Sequence, residues 1–349
     1  MATTVQQLAD ALVTPDVPTQ YVVREHSDQQ LSSAVTAPVP VINLGRLFKH
    51  DGAGDEATKL RSALDSWGLM HLGNNHGIDP AIMDGMKAAS RAFFGQPLEE
   101  KQRYTNLIRG KQFQFEGYGN DRVRSPDQIL DWSDRIFLKV EPQDERRFAL
   151  WPAYPENFRD ALHEFTKKCG GVKDGLLRAM AKLLELDNDD YFVDQLGERP
   201  LTHARCSYYP ECPRPELVFG LKPHSDISAV TVLMVDDTVG GLQVLKEGAW
   251  WDVPVVPHTL LVIIGDQIQI MSNGIFKSPL HRVVTNPNKE RISVALDYSV
   301  DPEREIEPSA QLVNEKRPAV YRKVKVKDYI AAYYNHFSEG KGLIHTMQI

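Results

Sequence analysis

Residues 221–237 read "LKPHSDISAVTVLMVDD", and this run decides what kind of chain it belongs to. It is rich in β-branched and apolar residues, the composition of a strand. Residues two apart in a strand share a face, so His224 and Asp226 project together and Ser225 turns away. Fifty-five positions after Asp226 a second histidine, His281, stands in "SPLHRVV". Two histidines and one carboxylate can occupy one face of an octahedral ion and leave three positions open. An H-x-D pair alone is a frequent accident, so its surroundings must decide.

Working outward, the texture changes after Arg199-Pro200. "THARCSYYPECP", "GGLQVLKEGAWWDVPVVP", "TLLVIIGDQIQIMSNG", "FKSPLHRVVTNP" and "ERISVALDYSV" join the opening run as strand-like blocks of about ten residues. Short strands at that spacing argue a sandwich or barrel rather than a parallel α/β sheet. Before them the pattern is mostly helical. A short helix is expected at Val5–Leu12, a strand in "PVPVINLGRL", a helix in "DEATKLRSALDSWG" and a strand in "LMHL". A further helix, "DPAIMDGMKAASRAFF", precedes an irregular 95–150 segment and a long helix from about Glu156 to Leu186. From Lys325 the tail returns to helix, with Ile330, Tyr334 and Phe337 on one stripe. The sum is one β-body clad in helices.

Composition narrows the function classes. The 349 residues are 42% hydrophobic and 25% charged, enough for a sizeable core, and the net charge of −7 comes with no basic run to track phosphates. No nucleic-acid partner is expected. Neither is a membrane partner, since no apolar run approaches the roughly 20 residues a bilayer requires. Three cysteines make no disulfide framework, and "MATTVQQLADALVTPDVP" has no cationic leader, so a cytoplasmic location is the expectation.

A third element sharpens the metal reading. Ten residues after His281, Arg291 and Ser293 in "RIS" again share one strand face. A guanidinium beside a hydroxyl suits a carboxylate, through two parallel charge-assisted hydrogen bonds. An arginine buried there without an anion would be costly.

The blocks "YYPECPRPELVFGLKPHSD", "VGGLQVLKEGAWWDVPVVP" and "IIGDQIQIMSNGIFKSPLHRVVTNPNKERIS" resemble the plant 2-oxoglutarate- and Fe(II)-dependent dioxygenases of the isopenicillin-N-synthase-like superfamily. "SWGLMHLGNNHGI", "RAFFGQPLEEKQRY", "GYGND" and "LDWSDRIFLKVEP" are similar to that family's segments in the same order. The likeness runs from about residue 18 to the C-terminal "HTMQI" and is greatest to the grass branch that includes the rice triketone-herbicide-hydroxylating dioxygenase. It implies a mainly β fold: a double-stranded β-helix (jelly-roll) core with flanking α-helices. Its implied divisions are an arm over 1–37, an N-terminal region over 38–150, the catalytic core over 151–310 and a helical cover over 311–349.

The resemblance implies that His224, Asp226 and His281 hold Fe(II) and form the catalytic centre. It implies that Arg291, Ser293 and Tyr209 bind the distal carboxylate of 2-oxoglutarate, while Tyr208 packs. The resemblance further implies O2 as the oxidant, ascorbate as a supporting reductant, and decarboxylation to succinate, CO2 and a ferryl species that hydroxylates or O-demethylates a small molecule. A monomer is expected. An iron oxidase of the same fold that does not use 2-oxoglutarate is an alternative, and a non-catalytic ligand-binding relative is another.

Three departures from the family's pattern bear on function. Ser207, implied as a further co-substrate contact, stands where many relatives have a longer Asn. The Trp67–His76 segment is one residue longer, which implies a bulge or a shifted loop. Alternation from Arg291 and Ser293 carries Ala295 and Asp297 inward, and relatives commonly have an aromatic at the latter position. Asp297 is expected to meet an N–H, amine or hydroxyl of the substrate, or to pair with a protein arginine or turn to solvent. Phe113, Phe115, Phe137, Leu221 and Phe337 are further candidate substrate contacts. Gly265-Asp266 and "SNG" at 272–274 are read as turns.

Overall fold

The computed structural model describes residues 4–11, 16–23, 35–47, 53–73, 75–337 and 343–349. The N-terminal region carries α1 (Val5–Ala11), β1 (Val41–Ile42), α2 (Leu44–Leu47), α3 (Ala53–Ser66), β2 (Leu69–Leu72) and α4 (Pro80–Phe94). Asp79 caps α4 by accepting from Ala81 N–H, with Pro80 at the first helical position. Then come α5 (Leu98–Gln102), the hairpin β3 (Leu107–Ile108) and β4 (Gln112–Phe113), β5 (Gly117–Gly119) and β6 (Asp134–Glu141). The long α6 (Phe158–Leu183) and short α7 (Tyr191–Leu196) lead into β7 (Leu201–Tyr209), β8 (Phe219–His224) and β9 (Val230–Val235). β10 (Leu242–Lys246), β11 (Ala249–Asp252), β12 (Leu260–Ile264), α8 (Asp266–Met271), β13 (His281–Val284), β14 (Arg291–Ser299) and α9 (Val326–Phe337) complete the body.

Two sheets face each other as a jelly roll. The larger runs β1-β2-β12-β9-β14-β7-β6-β5, and the smaller runs β11-β10-β13-β8. Alternation gives the large sheet two different faces. Val294, Leu296 and Tyr298 of β14, with Ala204 and Cys206 of β7, pack outward in the core shared with Phe165, Cys169 and Leu176 of α6. The intervening residues look inward, where Leu233, Leu261, Ile263, Leu242 and Val283 form a second core between the sheets. Burying the outward face under α6 turns Arg291, Ser293, Ala295 and Asp297 toward the interior, because a one-residue slip would exchange the faces.

Several expectations need correction. β6, paired along β7 from Asp134↔Tyr208 to Glu141↔Thr202, lies within the stretch read as irregular. "DQIQIM" is a helix rather than strand, "GGLQVLKEGAWWD" is a hairpin, and the first strand spans only Val41–Ile42 before helix resumes. The bulge offered for Trp67–His76 is not in β2, which pairs in unbroken register with β12 from Leu260↔Leu72 to Ile263↔Leu69; the shifted-loop alternative falls partly on Asn74, outside the described residues. On α9 the buried stripe is Val326, Tyr329 and Tyr333; Ile330 and Tyr334 are half-buried. All three cysteines are buried and free. No described helix is long and apolar enough to cross a membrane.

Candidate active site

His224 ends β8, and His281 opens the neighbouring β13 directly opposite it. The ladder shifts register just past this pair, beside Pro223, which has no N–H to contribute. Asp226 lies beyond the strand end, not within it as the alternation argument assumed. It still returns to the histidines, because its loop is seated on the start of α8. Asp266 N–H donates to the Asp226 carbonyl at 2.8 Å. Gly265 is obligatory there: a Cβ would stand 2.0 Å from the Ser228 carbonyl oxygen. Gly265-Asp266, read from sequence as a turn, thus positions a ligand.

The donor atoms converge. Asp226 Oδ1 is 3.7 Å from His224 Nε2 and 3.5 Å from His281 Nε2. Each ring is oriented through Nδ1 toward a backbone carbonyl, of Lys222 at 2.8 Å and of Pro279 at 3.1 Å. Donation from Nδ1 leaves Nε2 as the lone-pair nitrogen, the tautomer a metal needs. Burial, and then the neighbouring His281, hold His224 well below the usual histidine range and so neutral. Asp226 Oδ2 is buried with no hydrogen-bond partner. Two imidazoles that each turn Nε2 inward, and a carboxylate with an unused oxygen, fit a divalent ion.

The anion receptor stands on the facing sheet. Arg291 and Ser293 are buried, and the guanidinium lies 5.0 Å from the centre of the Tyr209 ring. Among the described residues Arg291 Nε and Nη1 have no partner. Each orphaned N–H costs about 1–3 kcal/mol, which a carboxylate entering the cavity recovers. Ser207, opposite Ser293 on β7, has its hydroxyl taken by Arg205 Nε at 3.2 Å. Tyr208 packs on the other face, stacked on Phe94 at 5.3 Å.

Both groups open into one cavity of about 140 Å³, which Phe113, Phe115, Phe137, Leu221 and Asp297 also line. The side chain of Phe337 lies outside the described residues; α9 reaches the cavity through Tyr333 and Tyr334 instead. Sequence reading missed a buried charge cluster on the wall. Arg205 forks onto Asp121 at 3.1 and 2.8 Å, and Arg135 Nε reaches the same carboxylate at 3.1 Å. Although burial opposes its charge, Arg205 and then Arg135 hold Asp121 below the carboxylate range. Arg205 and Ser207 share Arg291's inward alternation across β7, a signal that could have found Arg205. Asp121 follows a loop and carried none.

Asp297 faces the cavity as alternation requires, but among the described residues no arginine pairs with it. Thr231 Oγ1 donates to its Oδ1 at 3.2 Å across the β14/β9 pairing. Burial, and then the charge of Asp226, push its carboxyl up to about 7. Over the site, Tyr333 Oη donates to the Ser225 carbonyl at 2.6 Å, and Tyr329 Oη to Asp266 Oδ2 at 2.7 Å. The cover helix is therefore bonded to the loop that carries Asp226.

Such a site, on a jelly roll, defines a non-haem iron oxygenase. Comparison with known proteins agrees: residues 202–299 match the 2OG-Fe(II) oxygenase superfamily, and residues 39–158 match the non-haem dioxygenase in morphine synthesis N-terminal family. The chain is 35% identical to jasmonate-induced oxygenase 2 of Arabidopsis thaliana over 88% of this chain and 82% of that one. It is 35% identical to codeine O-demethylase of Papaver somniferum over 99% and 95%. A crystal structure of JOX2 in complex with 2OG, Fe and JA superposes with a TM-score of 0.85 at 34% identity, covering 95% of this chain and 93% of that one. The protein belongs to the plant 2-oxoglutarate/Fe(II)-dependent oxygenases and is an Fe(II)/2-oxoglutarate-dependent dioxygenase. These identities do not single out a grass branch.

Proposed function

We propose that the enzyme hydroxylates or O-demethylates a small specialised metabolite, hormone or xenobiotic. The observation that carries this reading is one cavity in which His224, Asp226 and His281 face the unpaired N–H groups of Arg291. His224, Asp226 and His281 would hold the iron, and Arg291, Ser293 and Tyr209 the distal carboxylate of 2-oxoglutarate. Bound together, Fe(II) and 2-oxoglutarate supply O2 activation coupled to decarboxylation to succinate and CO2. The chain's own part is orientation and exclusion of water. The carbonyls of Lys222 and Pro279 fix the two rings. Thr231, Leu233 and Ile263 wall the space on one side, and Phe113, Phe115 and Phe137 take a place among its lining. A JOX2 structure in complex with JA and a relative named codeine O-demethylase support a small-molecule substrate.

A monomer is part of the same proposal. Three free, buried cysteines support a reducing, cytoplasmic setting. The grass-branch placement rests on its sequence motifs alone. The test is incubation of the Fe(II)-loaded enzyme with 2-oxoglutarate and plant metabolite extracts. A product differing from its precursor by one added oxygen or one lost methylene, formed with succinate, is expected. Succinate formation that no extract stimulates would overturn the reading.

A further inference from the structure

The polar groups of the cavity divide into those with partners and those without. Arg291 and the metal corner are accounted for by iron and 2-oxoglutarate. Arg205 and Arg135 are committed to Asp121, and Arg135 also donates to the carbonyls of Phe115 and Gly117. Asp297 is left over, as is the exposed Arg122. A carboxylate accepts about four hydrogen bonds. Among the described residues Asp297 receives one, from Thr231, and no cationic side chain is paired with it.

Its neighbours fix its character. Ser228 and Thr231 hydroxyls lie 3.1 Å apart, so Ser228 donates to Thr231, which donates to Asp297. That relay, with the charge of Arg205, favours the charged carboxylate against burial and the charge of Asp226. His203 stands opposite Asp297 on β7, its ring stacked on Phe137 at 4.6 Å. Burial, then Lys139 and Arg135, push His203 down to about 3, so it is neutral and supplies no counter-charge. Lys139 is paired with Glu145 at 2.6 Å. Tyr334 lies within the field of Asp297 and packs 4.3 Å from Phe115, giving the carboxylate an aromatic border. Six residues of strand separate Asp297 from Arg291, roughly 20 Å along β14, so it sits well away from the co-substrate receptor.

We propose that Asp297, held by Thr231, receives a protonated amine of the substrate, making the substrate class a small lipophilic amine. The proposal rests on the oxygenase reading of this cavity. An ammonium would add donors to Asp297 and meet the aromatic faces beside it. No covalent step is involved.

The test compares three near-isosteric probes by calorimetry on the full chain, loaded anaerobically with Fe(II) and 2-oxoglutarate. They are 4-methoxyphenethylamine, neutral 1-methoxy-4-propylbenzene and anionic 3-(4-methoxyphenyl)propanoate. The amine is expected to bind about tenfold or more tightly than the neutral probe, as one charge-assisted contact allows, and the carboxylate least. Asp297→Asn should erase the preference, and Thr231→Val should reduce it. Retained 2-oxoglutarate affinity shows that each variant is folded. Absence of an amine preference in the wild-type protein, weak binding of all three included, overturns the proposal, as does its survival in Asp297→Asn. If 2-oxoglutarate itself fails to bind the iron-loaded wild-type protein, the oxygenase reading falls with it; 2-oxoglutarate binding without amine preference overturns the Asp297 assignment alone.

Discussion

The two ends of β14 put opposite charges on one inward face. At its start Arg291 is buried with Nε and Nη1 unpaired, beside Ser293 and Tyr209. Six residues on, Asp297 meets Thr231 on the same strand face. The arginine end matches a carboxylate that all members of this reaction class consume. The aspartate end has no counterpart in the shared chemistry. Under the proposals above, incomplete pairing at both ends marks where ligands belong, and the sign of each charge says which kind. Arg205 between them teaches the converse: a cavity-lining charge already satisfied by Asp121 is scaffold.

The contrast can be broken at several depths. The largest effect is expected from Asp226→Ala, which removes the only carboxylate of the iron set. Iron affinity, measured by titration with a chromophoric chelator, should fall by more than the ~100-fold typical for loss of an outer-shell partner. Near wild-type iron content would show that the ion sits elsewhere. Arg291→Lys keeps the charge but loses the fork, so the 2-oxoglutarate dissociation constant should rise by about 10–100-fold. Iron content should not change, and a 2-oxoglutarate affinity within twofold of wild type would remove Arg291 from the receptor. Asp297→Asn sharpens the comparison from the other side, leaving 2-oxoglutarate affinity within about twofold, since nothing at that end touches the co-substrate receptor. The smallest effect belongs to Tyr329→Phe, which removes a donor from the buried Asp266. Burial first, and then Asp226, already raise Asp266 to about 6. A cost of about 1–3 kcal/mol is expected, read as a melting temperature lower by a few degrees. An unchanged melting temperature would show that α9 is not anchored through this bond.

How much was legible follows from range of interaction. β7, β9, β12 and β14 announce themselves because each alternates between two environments, one against α6 and one inside the roll. β6 does not: its inward positions carry Arg135, Phe137 and Lys139, and those charges disguise the strand. Their presence makes sense only once Asp121 and Glu145 are seen beside them. The segment "DQIQIM" reads as strand by composition and folds as α8, with all six residues buried. The α9 stripe was misplaced by one position because Tyr329 and Tyr333 are turned by hydrogen bonds to Asp266 and Ser225, partners far away in sequence.

Local chemistry therefore settled the residue types and their faces: His224, His281, Arg291 and Ser293 on strands, with Asp297 two steps beyond Ala295. Strand alternation is a property of the backbone and needs no partner. Tertiary structure decided what each polar group meets. It seated the Asp226 loop on Gly265, gave Arg205 to Asp121 rather than to Asp297, and brought Tyr333 down over the site. Those outcomes depend on which distant side chain is within hydrogen-bond reach, a range of about 3 Å that spacing along the chain does not encode.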